Sequence, residues 1–406
     1  MNKRIMILGA GVLQRPGILK AKELGYEVIA LDMDPNAVGF QDADIKLVIS
    51  TIDIPGVLEA AKEYRIDGIM TLASDMPMRT VAHVGTVLGL PTISEEAAFR
   101  ATDKYAMRQA LKNEGVPVPA FFGVKDEQAY REAIQKIPGE MFIVKPADSS
   151  GSRGVHLVSK DQDPMQAFYD SQKFSRSRVV MVEEYMTGPE VSVESLTIGG
   201  KTNIIAITDK LIVGNGNFTE IGHTQPCALP ASVQDEIADV VCRTVRAIGI
   251  DHSPSHAELK VTPTGVKVVE IGARLGGDNI TTALVPLSTG VDMLAACIRI
   301  AMGEPIDQFE ERPNTAAIRY FAPPVGTIMD IRNVEQAKQI PGVCEIQILR
   351  AVGERVVPIT SSTDRIGFVI AQGRNGRTAS EICEEAVASI HFEICESAVR
   401  QEDEQN

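Results

Sequence analysis

The chain has 406 residues, of which 44% are hydrophobic and 23% are charged, and its mean hydropathy is close to zero. These values are typical of a soluble globular protein, and the length predicts several domains of about 100 to 200 residues each. The formal net charge of −14, without any block of Lys and Arg, excludes nonspecific nucleic-acid binding, which requires a basic surface.

The cysteines and the apolar segments indicate where the protein works. Six cysteines are scattered without a Cys-X-X-Cys pair or histidines at zinc spacing, so reduced and mostly buried thiols are expected. The N-terminal apolar run is short and ends in glycines, as a buried strand does and a signal peptide does not. No stretch reaches the roughly 18 uninterrupted apolar residues of a membrane span. A cytoplasmic location without membrane contact is predicted.

The first hundred residues alternate between strand and helix patterns. The predicted strands are 5–8, 27–31, 46–49 and 68–72, and the clearest helices are 16–24 and 55–64. Strands that alternate with helices of this length predict a doubly wound parallel α/β domain, over residues 1–93. Ligands of such a domain bind at the carboxyl ends of the strands.

Gly9-Ala10-Gly11 resembles half of a dinucleotide-binding fingerprint, with Asp32 near the place of a ribose-binding acid. Gln14 stands where the third glycine is required. The incomplete fingerprint favours a tight strand-to-helix turn that faces another ligand. A nicotinamide-dependent oxidoreductase is the less favoured alternative, and fluorescence titration with the cofactor would test it.

From Ser94 the pattern changes to that of an α+β domain. Ser94 and Thr102-Asp103 begin two helices, which end before Gly115. Strand-rich sequence follows at 142–145, 154–157, 179–185 and 191–198, and then an amphipathic helix ends at Gly249.

Phe142-Ile-Val-Lys145 is an apolar strand that runs into Ala-Asp-Ser149-Ser150-Gly151-Ser-Arg-Gly154. Small residues allow successive backbone N–H groups to face an anion, and the lysine supplies a positive charge for phosphate. The segment therefore predicts a phosphate-binding loop that is not a Walker motif. A flexible hairpin connection is the alternative.

Val180-Met-Val-Glu183-Glu184-Tyr185-Met186-Thr-Gly-Pro-Glu190 has the form of a strand, a short linker, a turn and the start of another strand. Backbone groups of such a linker are able to hydrogen-bond adenine, and a carboxylate a few residues later is able to accept from ribose hydroxyls. The alternative is a surface strand with solvated acids.

Two apolar-alternating runs flank the turn Pro263-Thr264-Gly265 and predict a hairpin. The predicted pairs are Thr262 with Val266, Lys260 with Val268, and Glu258 with Glu270. Facing like charges destabilise a sheet by roughly 0.2 to 1 kcal/mol, so the glutamate pair predicts a cation between its carboxylates. Two carboxylates with phosphate oxygens and water are a usual Mg²⁺ site. The alternative is that both glutamates face solvent after a one-residue slip.

Pro313 begins a last segment, predicted as a small α+β domain over 313–398. Its predicted strands are 316–321, 344–349 and 366–371, and its helix is 379–390. Residues 399–406 are acidic and lack apolar side chains, which predicts a disordered tail.

Taken in chain order, these motifs resemble the ATP-grasp superfamily of ligases over nearly the whole chain. The motifs are Lys104 in Thr-Asp-Lys-Tyr-Ala-Met-Arg, Lys145 with its Ser/Gly loop, the 183–190 segment, the Glu258/Glu270 pair and Arg274. The resemblance implies an N-terminal domain like that of carbamoyl-phosphate synthetase and biotin carboxylase. It also implies two α+β lobes that clamp ATP over residues 94–312, with a mobile lid lobe at about 118–187.

The resemblance also implies a role for each motif. Phosphate contacts fall to Lys104, Lys145, Ser149, Ser150, Gly151 and Gly154, adenine contacts to Glu183, Glu184, Tyr185 and Met186, and ribose contacts to Glu190. Glu258 and Glu270 would bind Mg²⁺ or Mn²⁺, and Arg274 would stabilise the transferring phosphoryl group. One departure is Gly272, where many relatives have Asn, so that a second metal would be held less completely, by Asp278 or by substrate.

Within the superfamily the sequence is most similar to the L-amino-acid ligases, which are dipeptide synthetases. Residues 270–278 resemble their metal and arginine segment, residues 218–226 their substrate loop, and residues 364–373 a segment of their C-terminal region. The similarity implies that Glu220 and His223 lie beside the reacting amine or carboxylate; the alternative is that both merely order the loop.

The implied reaction activates a carboxylate, that of an amino acid, as an acyl phosphate and joins it to an amine, with release of ADP and phosphate. The implied partners are the two small-molecule substrates, and a homodimer is expected from the resemblance alone. Two alternatives stay open. A purine-pathway or other carboxylate ligase would share these motifs, whereas a nucleotide-binding regulator without catalysis would not need Arg274.

Overall fold

The computed structural model describes residues 3–149, 151, 153–214, 217–306 and 313–395. Ser150 and the predicted tail at 399–406 lie outside the described residues. The chain divides into two compact units, the first formed by 1–209 with 226–313 and the second by 210–225 with 314–406.

The N-terminal part of the first unit is a four-stranded parallel sheet. Its strands are β1 (Arg4–Leu8), β2 (Glu27–Asp32), β3 (Ile45–Val48) and β4 (Gly68–Thr71), in the order β3-β2-β1-β4. The helices between and after them are α1 (Arg15–Glu23), α2 (Ile54–Tyr64) and α3 (Pro77–Leu88). Residues 5–8 of β1 are fully buried, as the apolar strands of parallel sheets are. The predicted parallel α/β domain is confirmed.

The turn between β1 and α1 is filled by the side chain of Gln14, which is buried and donates to the carbonyl oxygen of Leu72 at 2.7 Å. Gly9 has φ +96°, and a Cβ atom there would lie 2.9 Å from Cγ of Gln14. A dinucleotide site needs this space, because its glycines let the backbone approach the pyrophosphate. The tight turn is therefore favoured over a dinucleotide cradle.

A small antiparallel lobe follows two connecting helices, α4 (Glu95–Thr102) and α5 (Lys104–Asn113). Its strands are β5 (Phe121–Val124), β6 (Met141–Pro146), β7 (His156–Ser159) and β8 (Val180–Glu184), in the order β5-β8-β6-β7. Its helices are α6 (Glu127–Lys136) and α7 (Met165–Phe174). Tyr130, Phe142 and Phe168 lie at the centre of a core that belongs to this lobe. The phosphate loop predicted after Lys145 thus extends from the end of β6.

A second antiparallel sheet carries most of the predicted site residues. The strands that continue the numbering are β9 (Glu190–Ile198), β10 (Lys201–Gly214), β11 (Asn217–Gln225), β12 (Ser253–Thr262) and β13 (Gly265–Gly272). Within the first unit their order is β13-β12-β9-β10. The apolar face packs against α8 (Ala231–Ile248) through residues such as Val193, Leu259 and Ile271. The opposite face is left for polar side chains.

Two more helices end the described part of the first unit, α9 (Val285–Thr289) and α10 (Met293–Ala301). Among the described residues, no single helix is both long and apolar enough to cross a membrane, and the one pair that qualifies together by length and composition, 280–289 with 293–301, is bent by 119°.

The second unit is a small α+β structure. Its remaining strands are β14 (Ala316–Tyr320), β15 (Gly326–Arg332), β16 (Val343–Ile348), β17 (Arg355–Val356), β18 (Gly367–Gln372) and β19 (His391–Cys395). They form one sheet run, β11-β14-β18-β16, and a three-stranded sheet, β17-β15-β19. The helices are α11 (Val334–Ala337) and α12 (Ala379–Ser389), and α12 packs its buried face on β14 and β18. The predicted small C-terminal α+β fold is confirmed.

The segment 218–226, predicted to resemble a substrate loop, is a strand and not a loop. Residues 217–225 form strand β11, and residues 222–225 pair with β14. Thr219 and His223, four positions apart, are both buried, whereas Glu220 is only partly buried. The segment has a strand's alternation of side chains, which its similarity to a loop of other ligases concealed.

Candidate active site

The hairpin of β12 and β13 places Glu258 directly opposite Glu270, as predicted. The other two predicted pairs are wrong, because Thr262 pairs with Gly265 and Lys260 pairs with Lys267. The turn is therefore one residue shorter than predicted, and a register shift between Glu258 and Leu259 compensates for it. Val269 is the extra residue of this β-bulge, which restores the pairing of the two glutamates.

The polar face of the second sheet presents three rows of facing side chains. The cross-strand neighbours are Glu190 with Lys260, Ser192 with Glu258 and Glu270, and Glu194 with His256. Residues directly opposite each other share a face and lie close together. The predicted metal and ribose residues therefore occupy the same sheet face, above the apolar core of the first unit.

Lys104 contacts both the predicted metal-binding glutamates and the predicted phosphate loop. It is the first residue of α5, which Asp103 caps by accepting from the backbone N–H of Ala106 at 2.8 Å. The ammonium of Lys104 donates to Oε1 of Glu270 at 2.9 Å and to the carbonyl oxygen of Ser149 at 2.7 Å. Burial alone would lower the pKa of Lys104, but Glu270 raises it above its ordinary value. The lysine is therefore a fixed cation between the two motifs.

Lys145 and Arg108 share one buried carboxylate, that of Glu183. Lys145 Nζ lies 2.7 Å from Oε2 of Glu183, and Arg108 Nε donates to Oε1 at 2.8 Å. Burial would raise the pKa of Glu183, but the two cations lower it to about 2. Because its carboxylate is fully engaged, adenine would have to be held by backbone groups of the linker and not by the side chain of Glu183.

We expect Glu183 to make folding stability fall at acid pH. Its folded pKa of about 2 lies below the ordinary value of 4.5, so its contribution is present above about pH 4.5 and disappears as the pH falls towards 2. The full contribution is about 3 kcal/mol. The free energy of unfolding, measured with urea at pH 7 and at pH 3, should fall less between the two pH values in Glu183→Gln than in the parent chain. Glu59→Gln, at an exposed position of α2, is the control and should lose as much as the parent; an equal loss in Glu183→Gln contradicts the assignment.

Arg274 follows β13 and is fixed by Asp75, a partner that sequence analysis missed. Arg274 Nε donates to Oδ1 of Asp75 at 2.6 Å, and its Nη1 donates to the carbonyl oxygen of Leu275 at 3.1 Å. Burial opposes both charges. The Asp75 carboxylate nevertheless raises the pKa of Arg274, and the Arg274 guanidinium lowers the pKa of Asp75, so both groups are held in the ionised form. Asp75 lies just beyond the carboxyl end of β4, where ligand-binding residues of parallel sheets are expected.

Gly272 leaves room for the pair of Asp75 and Arg274. A Cβ atom at Gly272 would lie 3.0 Å from Oδ1 of Asp75 and 3.3 Å from Nε of Arg274. Both distances are shorter than ordinary contacts, so a side chain at this position would require the ion pair to shift by a few tenths of an ångström. At Gly272, where many relatives have Asn, the structure thus has a partly buried ion pair next to the backbone.

The linker between β8 and β9 packs closely against the end of β12. Gly188 has φ +123°, and a Cβ atom there would lie 2.0 Å from the carbonyl oxygen of Val261. Tyr185 and Met186 lie in this linker, and Met186 is buried. On either side, Glu184 pairs with Lys267 at 3.0 Å, and Glu190 pairs with Lys260 at 3.0 Å. The linker backbone is therefore held between the small lobe and the sheet.

The remaining predicted residues differ in what surrounds them. Gly151 and Gly154 have φ +68° and +72°, conformations that suit glycine in the phosphate loop. Glu220 belongs to the second unit, where its carboxylate lies 3.1 Å from Arg365 Nη2 and 3.3 Å from Lys210 Nζ. His223 is buried in the same strand.

The glutamate pair fits a magnesium ion. Its carboxylates face each other, an ammonium already contacts one of them, and the hydroxyl of Ser192 opposite Glu258 is buried without a hydrogen-bond partner among the described residues. Oxygen atoms are the ligands that Mg²⁺ prefers. The described residues contain no group of three or more acidic, His or Cys side chains arranged for a metal, so substrate phosphates and water would complete the coordination.

Parts of the chain match known protein families. Residues 135–282 match the family model described as ATP-grasp domain, and residues 319–394 match L-amino acid ligase C-terminal domain 2. The uncharacterized protein y4rH of Sinorhizobium fredii is 30% identical over 339 residues, which are 82% of this chain and 69% of that protein. A formate-dependent phosphoribosylglycinamide formyltransferase of Burkholderia thailandensis is 25% identical over 406 residues, covering 95% of each chain.

The crystal structure of an L-amino acid ligase from Bacillus licheniformis has a TM-score of 0.81 at 22% identity, with 97% of this chain and 99% of that one covered. The fold and the match to the ATP-grasp domain define the class of protein as ATP-grasp ligases. The chain belongs to the ATP-grasp family of carboxylate–amine ligases, as its motifs predicted.

Proposed function

We propose that the protein activates the carboxylate of an amino acid with ATP and joins it to the amine of a second amino acid. The observation that carries the proposal is the partly buried ion pair of Arg274 and Asp75 beside the facing Glu258 and Glu270. The match of residues 319–394 to an L-amino acid ligase domain supports amino acids as the substrates.

In the first step, a carboxylate oxygen of the substrate attacks the γ-phosphorus of ATP. The new O–P bond forms as the bond to the β–γ bridging oxygen breaks, which gives an acyl phosphate and ADP. Such transfers depend on positioning and charge neutralisation and need little covalent help from protein. Lys104 and Lys145 would hold the phosphates, and the Arg274 guanidinium would stabilise the charge on the transferring group. Mg²⁺ or Mn²⁺, held by Glu258 and Glu270, neutralises phosphate charge when bound.

In the second step, the amine nitrogen attacks the acyl carbon, the C–O bond to phosphate breaks, and the nitrogen loses a proton. The small lobe around β6 and β8, predicted as a lid at 118–187, would close over ATP and exclude water from the acyl phosphate. We propose that Glu220 and His223 contact the amino-acid substrates. The support is the resemblance of residues 218–226 to a segment of the L-amino-acid ligases, together with the hydrogen bond from Arg365 that fixes the Glu220 carboxylate.

A second candidate is a ligase for a carboxylate that is not an amino acid. The 25% identity with a formate-dependent formyltransferase over 95% of each chain favours this alternative. Both candidates use the same ATP and metal residues, so only the substrates distinguish them.

The test is an ADP-release assay with ATP, Mg²⁺ and a panel of single amino acids, pairs of amino acids, and formate with primary amines. A dipeptide ligase releases ADP with amino-acid pairs and forms a product whose mass is the sum of the pair minus one water. Mass spectrometry of the mixture identifies that product. ADP release with formate but with no amino-acid pair would reject the proposal in favour of the second candidate.

A further inference from the structure

A buried carboxylate–imidazole pair lies beside the proposed metal ligand Glu258. Glu194 on β9 faces His256 on β12 across the sheet ladder, and both side chains are buried. Nδ1 of His256 is hydrogen-bonded to Oε1 of Glu194, and Nε2 of the same ring lies 3.5 Å from Oε1 of Glu258. The imidazole therefore bridges a fully buried carboxylate and one predicted to bind metal.

The strand geometry explains the alignment of the three side chains. His256 and Glu258 are two residues apart on β12, so they project from the same sheet face. Because Nδ1 is engaged by Glu194, the ring is held in one orientation, with Nε2 directed at Glu258. The other oxygen of Glu194, Oε2, is buried without a hydrogen-bond partner among the residues that the structure describes. Retaining such an atom is costly, which indicates a role beyond packing.

Gly276 covers this pair with the loop that follows Arg274. A Cβ atom at Gly276 would lie 2.6 Å from Nδ1 of His256 and 2.8 Å from Oε1 of Glu194. A Cβ atom at the neighbouring Gly277 would meet only Cβ of Ala73, at an ordinary 3.9 Å. The backbone at Gly276 thus packs directly on the pair, and a methyl group there would have to displace it.

We infer that Glu194 and His256 are positioning residues that hold the carboxylate of Glu258 in the orientation needed to bind the metal ion. The inference rests on the proposed function, in which Glu258 is a metal ligand. Carboxylates that bind metals are themselves oriented by hydrogen-bonding partners, and loss of such a partner typically weakens metal affinity by about 10- to 100-fold. Neither residue belongs to the motifs that predicted the site.

The test measures Mn²⁺ binding to the full chain in the presence of ADP, by electron paramagnetic resonance of free Mn²⁺. His256→Asn and Gly276→Ala should weaken Mn²⁺ binding by about 10- to 100-fold, with ADP binding in EDTA unchanged. Glu194→Gln should weaken it less, because the amide oxygen still accepts from Nδ1. Matched controls are Gly277→Ala and His252→Asn, which should bind Mn²⁺ as the parent does. Circular dichroism verifies that each variant is folded.

A double variant separates positioning from a general loss of structure. If Glu194 acts through His256, then Glu194→Gln adds little to the loss caused by His256→Asn, whereas independent damage to the fold would add. Parental Mn²⁺ affinity in folded His256→Asn overturns the inference and leaves the proposed function standing. Absence of Mn²⁺ binding to the parent chain with ADP overturns the metal site itself and the inference with it.

Discussion

Replacing Arg274 with alanine is expected to lower turnover by a few hundredfold while ATP binding is largely kept. The guanidinium is fixed by Asp75 beside the paired glutamates, so it is already oriented before reaction. Removing one preorganised group that stabilises developing charge typically costs about 3 to 4 kcal/mol. The measurement is kcat of ADP release with saturating substrates, alongside the Kd of ATP from equilibrium binding.

The control for this prediction separates the loss of the catalytic charge from a loss of stability, because alanine would leave the partly buried Asp75 carboxylate without its arginine partner. The double variant Asp75→Asn with Arg274→Ala removes that unpaired charge and should recover thermal stability without recovering turnover. Asp75→Asn alone keeps an acceptor for Nε and should lose less activity than Arg274→Ala. Turnover within a few-fold of the parent in folded Arg274→Ala contradicts the role given to this arginine.

The hairpin shows how far a sequence leads and where it stops. The alternation of apolar residues and the Pro263-Thr264-Gly265 turn were enough to predict that Glu258 faces Glu270. The predicted pairing nevertheless erred in the turn, and the pairing of the glutamates is restored by a bulge at Val269. A bulge of this kind depends on contacts from outside the hairpin and leaves no pattern in the local sequence. The predicted turn was one residue too long and the bulge was not predicted; these two errors cancel, so the predicted glutamate pair is correct.

The partners of the predicted residues were beyond sequence reasoning for a different reason. Asp75 and Arg274 are 199 positions apart, and Arg108 and Glu183 are 75 apart. A single sequence shows which side chains carry charge, but their pairing depends on how the strands and helices pack. The motifs therefore predicted the chemical groups of the site, whereas the ion pairs that hold those groups appeared only in the structure.

Replacing Arg108 is expected to have the second large effect, because this residue of α5 contacts both Glu183 and the bulge residue Val269. It lies on α5 one turn beyond Lys104, and its side chain is 1% exposed. Its guanidinium donates to the carboxylate of Glu183 and, at 2.6 Å, to the carbonyl oxygen of Val269, the bulge residue. The same side chain thus orders the partner of Lys145 and the bulge that sets the position of Glu270.

Arg108→Met should destabilise the protein by about 3 to 5 kcal/mol, the usual result of removing one partner from a buried ion pair. Urea unfolding of the variant at pH 7 gives this value. In a double-mutant cycle with Glu183→Gln the two losses should fall short of additive, because both variants remove the same contact between Arg108 and Glu183. Arg243→Met is the matched control. Arg243 also donates to a backbone carbonyl, that of Gly115, but is 38% exposed, and its loss should stay within about 0.5 kcal/mol. An equally small loss in Arg108→Met would show that the buried guanidinium is not needed to hold the bulge, and the position of Glu270 would then be set by its strand pairing and by Lys104.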